Sequence, residues 1–212
     1  MAMVPALADE FFRLAHHDTT GRPLLHPRAT SLGLATALLG ELLGSKKILV
    51  QERHVYPLNR TPPDDALTHA TLDQLIAQPQ HTDVRTWLEF LSASGYADVA
   101  GRLWRAGHLR PVAGRRRLRQ TVTYVPTDLL VAAGPWIRLT EILRRGEAVY
   151  WADGFLLCLA AATGLDAHLL RDGPPKAAEH LQRLCAAAPG QIGELMAITA
   201  AVVGDAVLSY RT

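Results

Sequence analysis

Ser31-Leu-Gly-Leu-Ala-Thr-Ala-Leu-Leu-Gly-Glu-Leu-Leu-Gly44 is followed by Lys47-Ile-Leu-Val-Gln51 and then His54-Val-Tyr-Pro-Leu58. In the first block Leu34, Leu38 and Leu42, with Ala35 and Leu39 beside them, recur at helical spacing. Thr30 or Ser31 is suited to cap its start, Leu43 closes it, and Gly44 is a natural stop. The next two blocks are β-rich runs separated by Glu52-Arg53, which predicts a two-residue hairpin although that pair is not a favoured turn. Pro57 belongs at the edge or end of its strand. The same order recurs downstream. A helix over Tyr96–Gly107, with Val99, Leu103 and Trp104 as its stripe, leads into His108-Leu-Arg-Pro-Val112 and Gln120-Thr-Val-Thr-Tyr-Val125, joined by the basic loop Ala113-Gly-Arg-Arg-Arg117. Two helix-then-hairpin units predict a mainly α protein: a single helical domain, residues 1–212, with two short β-hairpins forming a small sheet.

The flanking segments agree. Leu7, Phe11 and Leu14 share a face of a helix over Leu7–His16, ended by His17-Asp-Thr-Thr-Gly21. Pro23 and Pro27 predict an extended approach to the helix that follows. Asp64 or Asp65 caps a helix carrying Leu67, Leu72, Leu75 and Ile76, and Pro79 ends it. Thr82 or Asp83 caps another, with Val84, Trp87, Leu88 and Leu91 facing inward. Further helices are predicted over Pro135–Arg145, Val149–Thr163, Pro174–Ala187 and Gln191–Tyr210, the last apolar on most faces and therefore central.

The chain has 212 residues, 49% hydrophobic and 20% charged, with a net charge of +2. Disordered and fibrous classes are excluded by that balance. Two cysteines, Cys158 and Cys185, cannot build a disulfide framework, so a reducing, cytoplasmic setting is expected. No apolar run of about 18 residues is evident, so no membrane-spanning helix is expected, and Met1–Ala8 has no signal-peptide pattern.

Charge placement is less ordinary. Arginines 102, 105, 110, 115, 116, 117 and 119 fall in one run without an acid, and no carboxylate lies between Asp98 and Asp128. Such a patch points to an anionic partner: phospholipid headgroups, a phosphorylated ligand or a nucleic-acid backbone. Helix–helix–basic hairpin is also the order of a winged-helix nucleic-acid module. Its recognition helix here would offer only Arg102 and Arg105, without the Asn, Gln and Ser content that base-edge contacts favour, so nucleic acid is the weaker reading. Next to the cluster, Asp128-Leu-Leu-Val-Ala-Ala-Gly-Pro-Trp136 is apolar and contains Gly-Pro, which resists regular structure. Leu129, Leu130 and Val131 are candidate membrane contacts; the competing expectation packs this segment, Trp136 above all, into the core.

Chemistry-bearing motifs are sparse. His16-His17-Asp18 sits at a helix end, where adjacent residues face different ways, and it is expected to be solvated. Asp64-Asp65 with His69 and Asp73 matches helix capping better than a metal motif. His168, His180 and Cys185 fit no zinc spacing. Cys158 lies in Phe-Leu-Leu-Cys-Leu-Ala and is expected as a buried thiol. Neither a nucleophile elbow nor a phosphate-binding glycine loop occurs, so neither an enzyme, a metal nor a cofactor is expected.

Taken in order, Leu7-Ala-Asp-Glu-Phe-Phe-Arg-Leu14, the Gly21 turn, Ser31–Leu42, Ile48-Leu-Val50, Thr86-Trp-Leu-Glu-Phe-Leu91 and Leu103-Trp-Arg-Ala-Gly-His-Leu109 resemble the Golgi phosphoprotein 3 family over roughly residues 6 to 210. The resemblance implies a mostly helical domain and peripheral membrane binding through phosphatidylinositol 4-phosphate. It also implies an adaptor role in which cytoplasmic tails of membrane proteins are bound, without catalysis. Of the family's headgroup contacts, a Trp falls on His26 and an Arg on Ala35. Two further Arg fall in a shortened stretch around Ala93–Tyr96 that has none. Arg28 lies near the first position and Arg102 near the last two, so a rearranged anion site is expected from His26, Arg28 and Arg102. The run adds Arg105, Arg110, Arg115, Arg116, Arg117 and Arg119. The family's oligomerising hairpin falls on roughly residues 120–131, which implies self-association there. The combined expectation is a cytoplasmic, peripherally membrane-associated, non-enzymatic protein binding anionic phospholipid headgroups. The alternatives are the nucleic-acid module and a soluble interaction module lacking the lipid site.

Overall fold

The computed structural model describes residues 6–116 and 119–208, with the backbone alone at 115, 116 and 119–121. In chain order the elements are α1 Leu7–Leu14, α2 Pro27–Gly44, β1 Ile48–Gln51, β2 His54–Pro57, α3 Ala66–Ala77, α4 Val84–Ser92, α5 Gly95–Arg105, β3 Leu109–Arg116, β4 Arg119–Pro126, α6 Leu129–Arg145, α7 Trp151–Thr163, α8 Asp166–Leu169, α9 Pro175–Ala186 and α10 Gly190–Leu208. The mainly α class is as the sequence predicts. The two hairpins, however, do not join: β1–β2 and β3–β4 are separate antiparallel two-stranded sheets.

Helix α2 is the centre. It touches α1, α3, α4, α5, α7, α10 and β1, and it is buried on nearly every side. Its glycines are what let the neighbours in. A Cβ at Gly33 would stand 2.3 Å from the Phe11 ring, one at Gly40 2.3 Å from Phe155, and one at Gly44 2.5 Å from Trp151. Both phenylalanines are fully buried, so these rings lie directly on the α2 backbone. Helix entry also differs from expectation. Pro27 occupies the first turn, where its missing N–H costs nothing, and the His26 ring nitrogen Nδ1 accepts the Arg28 N–H at 3.2 Å as the cap.

The Glu52-Arg53 turn forms despite its composition. Both residues have positive φ, 53° and 66°, as the twist-matched hairpin turn requires. The rest of the fold holds it there: the Arg53 N–H donates to the Glu194 carboxylate of α10, and the Arg53 carbonyl accepts the Val84 N–H at 2.8 Å. Asp65 and Asp83 cap α3 and α4 as predicted, each accepting a backbone N–H three residues on, at 2.8 and 2.9 Å.

Gly190–Leu208 is long and apolar enough to cross a membrane by length and composition, contrary to the expectation that no segment is. Here it packs against α2, α4, α7 and β1 with Ile192, Leu195, Ile198, Thr199 and Val202 buried, and the Thr199 hydroxyl meets that of Thr36 on α2 at 2.9 Å.

Candidate functional site

The β3–β4 hairpin leads through Thr127 and Asp128 straight into α6, and the hairpin base and Ala132 of α6 line one narrow cleft. In the hairpin, Ala113–Arg116, expected as a loop, instead belong to β3. Val112 pairs Thr123, Ala113 pairs Val122 and Arg116 pairs Arg119. Small and β-branched cross-strand partners carry the ladder past the expected end. The base of the hairpin is fixed from three sides. Gly21, at φ +65°, brings the 17–23 loop so close that a Cβ would stand 2.0 Å from the Tyr124 carbonyl oxygen. The Thr127 hydroxyl donates to the Gly107 carbonyl at 2.7 Å. Asp128 then caps α6, accepting the Leu130 and Val131 N–H groups at 2.8 and 3.1 Å.

That cap starts α6 six residues before the predicted Pro135. Gly134-Pro135 does not break the helix; Pro135 sits buried on its inner side with Ala132, Leu139 and Leu143. Arg138 braces α6 between α1 and α7, donating to the Glu10 carboxylate and to Asp153 Oδ1 at 2.9 Å. The outer side is left bare. Leu130 is 79% exposed, with Leu129, Val131, Trp136 and Ile137 each more than two-fifths exposed. The expectation that Trp136 belongs to the core is therefore overturned. On the hairpin, Val112 and Val122 are exposed as well. By the register these two stand on opposite faces of the ribbon, so the apolar patch is the one on α6, and a cluster of exposed apolar side chains of that kind marks a contact surface.

The arginines divide. Arg105, at the end of α5, and Arg110, in β3, are exposed. Arg115, Arg116 and Arg119 flank the hairpin tip by their backbone pairing, and their side chains, like all of Arg117, lie outside the described residues.

Arg102 goes the other way, into the protein. Its Nε donates to Asp9 at 2.8 Å, one terminal nitrogen to Asp65 at 2.8 Å, and both terminal nitrogens to Glu41 at 3.3 and 3.2 Å. Glu41 also accepts the Ala8 N–H at 2.9 Å and the Thr68 hydroxyl at 2.7 Å. This cluster locks α1, α2, α3 and α5 together. Burial raises the Asp9 carboxyl above its ordinary range and outweighs the lowering by Arg102. At Asp65 burial also opposes ionisation, but the Thr68 hydrogen bonds and Arg102 win and hold the carboxyl below its ordinary range. Burial opposes the charge on Arg102 too, and Glu41, Asp9 and Asp65 more than reverse it.

The expected grouping of Arg102 with His26 and Arg28 does not occur. Arg28 lies in the first turn of α2 and donates to the Ser92 hydroxyl at 3.0 Å. Arg102 is bound to Glu41, thirteen residues further along that helix, or roughly 20 Å at 1.5 Å per residue. All three nitrogens of Arg102 are engaged by carboxylates, so it is no anion ligand.

Between α1, the hairpin base and α6 lies a narrow cleft of about 10 Å³, lined by Phe12, His16, Leu109, Tyr124 and Ala132 among others. That is room for about one water, not for a sugar phosphate. His16, expected to be solvated, is buried here and stacks on Phe12 with ring centroids 4.2 Å apart. Its Nδ1–H donates to the Phe12 carbonyl at 2.7 Å, which leaves Nε2 to accept from the Tyr96 hydroxyl at 3.4 Å. Burial holds its pKa down at about 4. The other histidines considered as ligands are apart: His180 donates to the Glu147 carbonyl at 3.0 Å, while His168 meets the Arg171 guanidinium.

Sequence reading missed Ile137 and Val122 as surface residues and missed Glu41 altogether. A lone carboxylate in an otherwise apolar α2 was the signal that a cation had to arrive from elsewhere.

No curated protein matches the chain. The model of the Golgi phosphoprotein 3 (GPP34) family matches residues 7–207, spanning every element from α1 to α10, and the chain belongs to that family.

Proposed function

We propose that the protein is a non-enzymatic peripheral membrane adaptor that binds anionic phospholipid surfaces through the β3–β4 hairpin and the first turns of α6. The observation that carries this reading is the bare apolar face of Leu129, Leu130, Val131, Trp136 and Ile137, held beside an arginine-bearing hairpin. Attachment to a membrane surface takes two signals. Each arginine near an anionic leaflet contributes about 1 kcal/mol, and each large apolar side chain roughly 1.5–3 kcal/mol if fully inserted. Trp136 is suited to the headgroup level. Membership of the Golgi phosphoprotein 3 family supports the Golgi-type adaptor role, with cytoplasmic tails of membrane proteins as cargo. Because His26 and Ala35 stand at two family headgroup positions and Arg102 is engaged internally, we read the contact as a charged surface rather than a pocket for one phosphoinositide. Self-association through residues 120–131 belongs to the same reading, since Val122 is open to a second copy.

Flotation with vesicles of neutral phosphatidylcholine, and of the same lipid with phosphatidylserine or phosphatidylinositol 4-phosphate, tests it. Binding is expected to both anionic mixtures, to fall with salt as surface charges are screened, and to be lost when Arg110, Arg115, Arg116, Arg117 and Arg119 are replaced by serine. Equal flotation of that variant, or a shift of duplex DNA without vesicle binding, overturns the reading. The nucleic-acid alternative already lacks one of its two readers, since Arg102 faces three carboxylates and only Arg105 remains exposed on α5.

A further inference from the structure

The two cysteines lie 27 residues apart in sequence, on different helices, yet they line one cleft. It opens between α7, α9 and α10, holds about 310 Å³, and is otherwise walled by small apolar residues such as Ala161, Ala188 and Ala197, with Met196. Cys158 of α7 is 4% exposed, whereas Cys185 of α9 is only partly covered. Helices α7 and α9 pack directly on one another here, which brings the two thiols to the same cleft wall. We propose that Cys158 and Cys185 form a redox-active dithiol that small-molecule disulfides of the glutathione class oxidise to an intramolecular disulfide between α7 and α9.

The cleft gives the reagent its approach, and the difference in exposure sets the order of events. Cys185 attacks first. Its thiolate is favoured because the Cys158 thiol donates to it, and the same hydrogen bond, with burial, raises Cys158. The Cys185 sulfur bonds to one sulfur of the small disulfide, the reagent's S–S bond breaks, and one small thiol leaves. Cys158 then gives up its proton and attacks the Cys185 sulfur of the mixed disulfide. The protein S–S bond forms and the second small thiol departs. In sum, the protein dithiol loses two electrons and two hydrogens and the small disulfide gains both, giving two thiols. Cys158 and Cys185 supply the thiols of the cleft, the rest of its lining being alanine, glycine and Met196, none of which attacks a disulfide. In a reducing compartment a bridge of this kind is reversible and is used for sensing rather than as a structural staple. It would tie α7 to α9, which also packs on α6, the helix of the proposed membrane face.

Incubating the full chain with excess glutathione disulfide, quenching with acid and measuring intact mass without reductant is the test. The expected wild-type product is a monomer lighter by two hydrogens, carrying no glutathione, and returned to its starting mass by dithiothreitol. Cys158→Ala is expected to stop at one glutathione adduct on Cys185, and Cys185→Ala to stay unmodified. A wild-type chain that remains fully reduced, stops at a glutathione adduct, or links into a dimer overturns the proposal. An adduct on Cys158 in Cys185→Ala overturns the order of attack. The wild-type mass alone decides whether the bridge forms, so the result does not depend on either variant folding.

Discussion

Arg102 and Arg110 are eight residues apart in one acid-free run, and they have opposite fates. Arg102 turns inward from α5 to Asp9, Glu41 and Asp65, which come from three other segments; Arg110 stands exposed on a hairpin strand. The difference teaches that absence of acids along the chain is not absence of acids in space. An arginine at the end of a packed helix meets whatever carboxylate the neighbouring helices leave buried. One on a projecting two-stranded ribbon meets solvent or a partner.

The comparison breaks most readily at Arg102. Arg102→Met leaves Glu41, 5% exposed, without its cation. Such a loss costs about 3–5 kcal/mol, and at 2–4 °C per kcal/mol the melting temperature is expected to fall by roughly 10 °C. Arg110→Met, in contrast, is expected to leave it unchanged; an equal drop for both would erase the distinction between the two arginines.

The interior also carries a pH signature. His16 has a folded pKa of about 4, against 6.5 when unfolded. Between those values the unfolded chain binds a proton that the folded one refuses. Stability from this group is therefore complete above about pH 6.5 and is lost as pH falls toward 4, by roughly 3 kcal/mol in all at 1.36 kcal/mol per unit. Denaturant titrations at pH 7 and pH 4.5 should differ accordingly, and His16→Gln should flatten that difference.

A smaller effect is expected from Gly33→Ala. The added Cβ meets the buried Phe11 ring, and overpacking of that kind costs about 1–3 kcal/mol even after the helix-propensity gain of alanine. Chemical denaturation midpoints measure it, and an unchanged midpoint would mean that α1 can slide off α2. Smallest of all in stability is Leu130→Ser, within about 0.5 kcal/mol because the side chain is 79% exposed. Its effect is expected in vesicle flotation instead, where binding drops.

Much of the fold was legible because its signals are local. Asp65 and Asp83 announce α3 and α4 through a hydrogen bond three residues on, and Gly44 ends α2 where the apolar pattern ends. What escaped was set at a distance. The start of α6 was missed because Gly134-Pro135 reads as a breaker, whereas the Asp128 cap and the bracing of Arg138 by Glu10 and Asp153 keep the helix continuous. Half of the candidate site, the arginines of the hairpin, follows from charge density along the chain. The other half, the bare side of α6, could only be settled by knowing which of its faces Ala132, Pro135 and Leu139 bury. Arg102 was misassigned for the same reason: its partners are 93, 61 and 37 residues away in sequence.

Helix α2 has a consequence for how the chain is born. It leaves the ribosome ahead of α7 and α10, which help enclose it and end at Thr163 and Leu208. Until more than a hundred further residues have been made, its leucines and the bare backbone at Gly33, Gly40 and Gly44 have no complete cover. Contacts of such long sequence separation form late and slowly. The nascent protein thus exposes its future centre until those helices follow, and a chain cut off before α10 presents chaperones and proteases with the very helix that the finished protein hides best.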